Sequence, residues 1–258
     1  MKRFHLFEFE DYDWFPKIIR DGGTDFLGFV LKYIKFYEPS INILEDVVKR
    51  SGHHHIVDLC SGNGGPISLV HDKIDKDLQV SYTLSDKFPN RAAYKKLKTT
   101  SNGIIDFKSE SLDILNDIII TEGIRTLFTA IHHFKPEEVR LILNNAIIDR
   151  APIAIFDGGN KHIGSILAIV LTHPIWFFFG TPFIRPFKWS RLLLTYIIPL
   201  IPLYAIWDGI VSILRLHTPE ELLGYAHNSD NKQQFTWSAG KVKNKVGFSV
   251  AYLVGIPN

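Results

Sequence analysis

The chain has a single cysteine, Cys60, so neither a disulfide framework nor a cysteine-rich zinc centre can be built from it. A reducing compartment is the simpler expectation, and the cytoplasm fits. It also lacks a strong excess of either charge: 29 Lys and Arg stand against 27 Asp and Glu, a net +2 over 258 residues. That balance gives a phosphate backbone little to attract, so no nucleic-acid partner is expected. No repeat or low-complexity tract is present, and 22% charge does not describe a disordered polymer. No export signal is expected either, because Glu8, Glu10, Asp11 and Asp13 interrupt the apolar run that a signal peptide needs. What the chain does have is apolar material, 46% of its residues, enough for one large core.

That material is arranged with a period of strand and helix. Short β-branched or aliphatic runs at 55–59, 80–84, 104–107, 126–131 and 153–156 are each long enough for one buried strand. Helical stretches lie between them, such as 136–148, where Val139, Ile142, Leu143, Ala146 and Ile147 recur at helical spacing behind Pro136. Such alternation argues for an α/β fold with a parallel sheet covered on both faces, binding ligands at the carboxyl ends of its strands. Near the end, Thr218-Pro-Glu-Glu221 is a capping box that starts a helix to about residue 227. Segments 235–237 and 248–254 are expected to pair as an antiparallel couple.

One segment breaks the pattern. Residues 163–206 contain no Asp or Glu, and their only charges are Arg185, Lys188 and Arg191. Its two apolar runs, 163–180 and 192–206, are shorter than the ~20 residues a bilayer crossing wants, and five prolines interrupt the segment. It reads as a helical lid with a buried apolar side, or as a peripheral membrane face in which aromatic and basic residues meet headgroups.

The stretch that carries most chemistry is His55-Ile-Val-Asp58-Leu-Cys-Ser-Gly62-Asn-Gly64-Gly65-Pro66, a strand that ends in an acid and enters a glycine-rich turn before a helix. Glycines let the backbone approach a flat ligand, and the helix start offers free N–H groups. Counted from Gly62, the dinucleotide fingerprint would need glycine where Ile67 stands, and the phosphate-loop ending Gly-Lys-Ser/Thr is replaced by Gly65-Pro66-Ile67. His53-His54-His55 does not suggest a metal, because consecutive residues entering a strand alternate faces. No metal is therefore expected.

The Asp58, Gly62 and Gly64 spacing resembles the first motif of class I S-adenosylmethionine-dependent methyltransferases, with Cys60 at the family's first glycine. The likeness runs from Asp58 to Phe156, and the Trp14-Phe15-Pro16 and 185–209 segments are similar to those of a bacterial subgroup with an apolar insertion. It implies a Rossmann-like, doubly wound seven-stranded sheet, mostly parallel with an antiparallel C-terminal strand, plus the insertion as a lid. One methyltransferase domain would comprise a helical cap (1–52), the cofactor-binding core (53–160), the lid (161–207) and the rest of the sheet (208–258).

Carried over residue by residue, the resemblance assigns S-adenosyl-L-methionine to Asp58, Cys60, Ser61, Gly62, Asn63 and Gly64. Asp86, ending the second strand, would hold the ribose hydroxyls, while Glu110 and Ser111 would border the adenine. Thr129 and Ala130 would line the cofactor site beside the fourth strand. His133, ahead of His132, would face donor and acceptor there, to take a proton or to hold the acceptor in line, with Asp208 as another candidate base. Asp11, Tyr12, Trp14, Arg185, Trp189 and Tyr196 would choose a small, largely apolar or lipidic acceptor. A nicotinamide-dependent oxidoreductase and a non-catalytic cofactor-binding module at a membrane remain the alternatives.

Overall fold

Five parallel strands form the centre of the sheet in the computed structural model, which describes residues 1–119, 122–230 and 232–258. They are β1 (His55–Leu59), β2 (Ser81–Leu84), β3 (Ile105–Phe107), β4 (Ile124–Phe128) and β5 (Ile153–Gly158); β6 (Phe235–Lys243) and β7 (Ser249–Pro257) add an antiparallel edge. The spatial order is β3-β2-β1-β4-β5-β7-β6. This is the seven-stranded, mostly parallel sheet that the resemblance implied. Chain direction across the sheet reverses between β1 and β4, which opens a crevice at the carboxyl ends of those strands.

Helices cover both faces: α1 (Lys17–Tyr33), α2 (Ile41–Ser51), α3 (Gly65–Lys73), α4 (Arg91–Thr100), α5 (Pro136–Ile148), α6 (Ile163–Gly180), α7 (Trp189–Leu192), α8 (Leu200–Arg215) and α9 (Pro219–His227). Leu44 and Val48 of α2 join Ile67 and Val70 of α3 and Tyr94 of α4 in a core with Ile56, Leu84 and Phe156. On the other face Val139 and Leu143 of α5 and Leu222 of α9 meet Val57, Leu127, Ile155 and Leu253. The period of 3.6 in α5 and the box at Thr218, whose hydroxyl accepts the Glu221 N–H at 3.2 Å, place these helices where the sequence predicts them.

Strand boundaries differ from the sequence reading, most at two places. The fourth strand stops at Phe128, because Thr129 adopts φ 54° and turns the chain out of the sheet into a short 3₁₀ turn, Ile131–His133. The terminal hairpin is longer than expected, pairing Phe235 with Pro257 through to Lys243 with Ser249. Its connection is closed by the Asn244 side chain, whose oxygen accepts the Val246 and Phe248 N–H groups at 3.0 and 2.9 Å. Exposed Lys241 and Lys243 blunt the outer edge.

The insertion packs on α1. Phe177 of α6 stacks on Phe26 with ring centroids 3.5 Å apart, and Ile184, Ile201 and Tyr204 complete that third core. Buried Asp25 of α1 receives Lys188 at 2.8 Å and Arg191 at 2.5 Å, pinning the segment. The insertion expected from the sequence buries an apolar side, and on α6 that side is one stripe. The stripe formed by Ile166, Ile169, His173, Trp176, Phe177 and Gly180 faces inward, while Leu171, Ile175, Phe178 and Phe179 point outward exposed.

Candidate functional site

β1 runs into a turn in which Cys60, Gly62 and Gly64 all lie in the left-handed region, at φ 60°, 56° and 75°. Glycine relieves that conformation at two of the three positions; at Gly64 a Cβ would also stand 2.6 Å from Leu97 and 2.8 Å from Leu84. The turn is tied to β2, with Ser61 N–H donating to Ser85 O and Ser85 N–H to Asp58 O, both at 2.9 Å. Asp86 then clasps it: one carboxylate oxygen accepts the Gly62 N–H and the other the Phe88 N–H, each at 2.7 Å. Burial raises the Asp86 carboxyl, and these two N–H groups oppose the rise. Asp58 lies behind the turn, accepting the Thr126 hydroxyl at 2.6 Å.

The turn opens onto a cavity of about 430 Å³, within the ~300–1,000 Å³ usual for small-molecule sites. Cys60, Ser61, Gly62, Asn63 and Asp86 form its floor. Leu112, Asp113 and Ile114 form one wall, and Phe128, Thr129 and Ala130 another. α1 closes the cavity through Thr24, Leu27, Gly28 and Leu31. That approach needs a glycine, since a Cβ on Gly28 would lie 2.3 Å from the Asn63 amide.

The far end of the cavity is polar. His133 lines it with Glu10 and Asp11 from the N-terminal strap. His133 Nδ1 lies 2.8 Å from Asp11 Oδ1 and 3.1 Å from Glu8 Oε2, and its Nε2 lies 3.5 Å from Glu10 Oε1. Burial alone would lower this imidazole, but Glu8, Asp11 and Glu10 outweigh it and raise the group to about 10. Burial would raise Asp11, yet the His133 hydrogen bond and charge together with Arg215 pull it below the usual carboxylate range. Buried His132 turns away, its Nδ1 3.0 Å from both oxygens of Asp157.

The structure therefore gathers Cys60, Ser61, Gly62, Asn63, Asp86, Thr129, Ala130 and His133 around one cavity, with Asp58 and Gly64 supporting them. It brings Asp11 there too, beside His133, but not the other sequence candidates. Exposed Glu110 and Ser111 lie outside because the loop after β3 follows β2 further than expected, with Lys108 N–H bonded to Leu84 O and Leu112 N–H to Asp86 O. The wall is thereby made from residues three positions later. Asp208 instead accepts the Phe9 and Glu10 N–H groups at 2.9 and 3.1 Å, and burial raises it to about 8.

Tyr12 and Trp14 pack against each other at the surface with their rings tilted by 31° and centroids 5.7 Å apart, though the Tyr12 carbonyl accepts from Arg20, which lies over Phe88 at the cavity. Arg185 is exposed, and Trp189 and Tyr196 line a separate open hollow on the apolar surface. Sequence reasoning missed Glu10, Arg20, Gly28, Phe88 and Asp113. Asp113 carried the one usable signal, an acid between apolar residues after the third strand.

No protein-family model and no curated protein sequence matches the chain. Solved structures do match. An O-methyltransferase family 2 protein from Planctomyces limnophilus, solved with apigenin, is 12% identical with a TM-score of 0.55, over 91% of this chain and 61% of its own. The methyltransferase domain of bacterial CtHen1-C is 12% identical with a TM-score of 0.50, over 85% of this chain and 97% of its own. An O-methyltransferase family protein from Burkholderia thailandensis is 13% identical with a TM-score of 0.48; this chain covers 56% of its length, little more than half. At such identities the likeness is one of fold, and the fold is that of class I methyltransferases.

Proposed function

We propose that the protein transfers a methyl group from S-adenosylmethionine to a small, largely apolar acceptor. The observation that carries this reading is the clasp at the cavity floor, where a left-handed turn leaving β1 is held by the carboxylate that ends β2. The residues present fit the cofactor. Asp86 uses one acceptor site on each oxygen, and a carboxylate with about four such sites keeps capacity for two ribose hydroxyls. Leu112 and Ile114 offer apolar walls to an adenine ring, with Asp113 between them as an acceptor. Glu10, Asp11 and Asp86 around the cavity suit a cationic sulfonium.

When bound, that sulfonium supplies an electrophilic methyl group, and alignment of the two reactants can supply roughly 7–11 kcal/mol of barrier lowering. The protein's own groups set the acceptor end. Without a metal ion, His133 is held protonated by its carboxylate neighbours and would hold an acceptor oxygen in line by donating a hydrogen bond, the second of the two roles expected of it. Glu10, raised by burial, is the group we assign to take the proton. Calorimetry tests the cofactor reading: S-adenosylmethionine and S-adenosylhomocysteine should bind the wild type, and Asp86→Ala should weaken both about 10- to 100-fold, the worth of one or two charge-assisted bonds. Tight binding of a nicotinamide dinucleotide with no response to either sulfur compound would overturn it.

We infer further that the acceptor is met at a membrane surface. α6 reaches Phe183 as a 21-residue apolar stretch, and the 189–197 and 200–215 helices meet at 78° beside it. A helix that is apolar all round yet buried on one stripe only needs a second apolar environment. α1 carries Leu27 and Leu31 to the cavity and Phe26 and Val30 to the insertion, so one helix separates the two.

A further inference from the structure

Glu8 is 0% exposed, although it lies in the N-terminal strap rather than in the sheet. Its Oε1 accepts from the Ser212 hydroxyl at 3.2 Å and faces Arg215 Nη1 at 3.4 Å. Its Oε2 has no hydrogen-bond partner and stands 3.1 Å from His133 Nδ1. The imidazole facing this buried oxygen can answer it either with a proton or with a metal ion held between the two groups, the ion displacing the proton.

We propose that Glu8, His132 and His133 form a binding site for one divalent transition-metal ion at the polar end of the cavity. One ligand atom from each lies within 4.8 Å of the others. Ligand bonds of about 2.0–2.2 Å require donor separations of roughly 3–4 Å, so small side-chain adjustments close the set. Outer groups already hold the ligands in place. Asp157 engages His132 Nδ1 and leaves Nε2 for the ion, while Asp11, braced by Arg215 at 2.7 Å, holds His133 Nδ1 at 2.8 Å and leaves its Nε2 for the ion. Two imidazoles and one carboxylate favour Zn²⁺, Mn²⁺, Fe²⁺ or Co²⁺ over the oxygen-seeking Mg²⁺ and Ca²⁺. Glu8 and His132 close the site from behind, and His133 lines the cavity, so the open coordination positions face the acceptor. The carboxylates of Glu8, Glu10 and Asp11 close to His133 make a field that draws a dication.

Metal binding stands on these residues alone; its catalytic use rests on the methyl-transfer reading and would be to polarise the acceptor oxygen. The test is titration of metal-stripped, tag-free full-length protein with Co²⁺, followed by visible ligand-field absorption, with Mg²⁺ for comparison. One equivalent of Co²⁺ should bind with absorption typical of nitrogen ligation, and Zn²⁺ should displace it. Glu8→Gln and His132→Ala should each weaken binding at least tenfold, whereas a His53→Ala/His54→Ala variant should bind as the wild type does. Retained S-adenosylmethionine binding in the Glu8 and His132 variants would show that they fold. Absence of the absorption in the wild type, or its persistence in His132→Ala, overturns the site. Co²⁺ binding without any sulfonium binding would refute methyl transfer and leave the metal site standing.

Discussion

Asp58 and Cys60 are two positions apart and answer to different forces. Burial raises the Asp58 carboxyl from its ordinary 3.8 to about 7, against the lowering effect of hydrogen bonds from Thr126 and Ser61. The folded protein then keeps this proton to about pH 7, while the unfolded chain releases it near 3.8, so between those values the folded state binds more protons. Stability should fall as pH rises through that window, by about 2 kcal/mol from pH 5 to pH 7 in urea unfolding. Asp58→Asn should flatten the slope, and parallel slopes for the two proteins would refute the assignment. Cys60, by contrast, matters through its backbone. Its φ of 60° occupies the turn position where the resembled family has glycine, and burial pushes its thiol well above the ordinary value, so it is not a nucleophile.

The insertion shows why an element's polarity does not reveal its burial. α6 is apolar along its length, yet its contact with α1 runs through the Phe26–Phe177 stack, with His173 alongside Phe26 and lowered by burial to about 4. Phe177→Ala should cost about 3–5 kcal/mol in urea unfolding, the usual loss for a buried ring. A loss below about 1 kcal/mol would mean that the insertion does not depend on this contact. The basic cluster also divides by packing. Lys188 and Arg191 are spent on Asp25, and Arg185 alone of the three stands exposed. Replacing Arg191 would therefore probe folding and not lipid attraction.

The insertion carries a linked set of exposed apolar groups: Trp189 is 77% exposed, Ile197 72%, Phe178 63% and Phe179 66%, with Phe178 against Tyr196, which shares a hollow with Trp189 and Ile197. Net charge is only +2, so adhesion to lipid should depend on these groups more than on salt. In flotation with anionic vesicles the wild type should rise with the lipid at both low and high ionic strength. A Phe178→Ser/Phe179→Ser/Trp189→Ser variant should stay at the bottom while still binding S-adenosylmethionine. If wild type and variant sediment alike, the membrane reading is wrong.

The alternation of β-branched runs with helical spacing, the acid and glycines around Asp58, and Asp86 at the end of the second strand are local patterns. Hydrophobic periodicity and backbone conformational preference act over a few residues, so the chain order alone already carried the fold and the cofactor turn. The acceptor end was not legible in this way. His133 lies more than 120 positions from Glu10 and Asp11 along the chain, and whether an imidazole is a base or a donor depends on which charges long-range packing sets beside it. The same holds for Glu110 against Asp113, separated by where a loop follows a neighbouring strand, and for the apolar insertion, whose outward face is decided by how much of α6 is covered by α1 and α8 together.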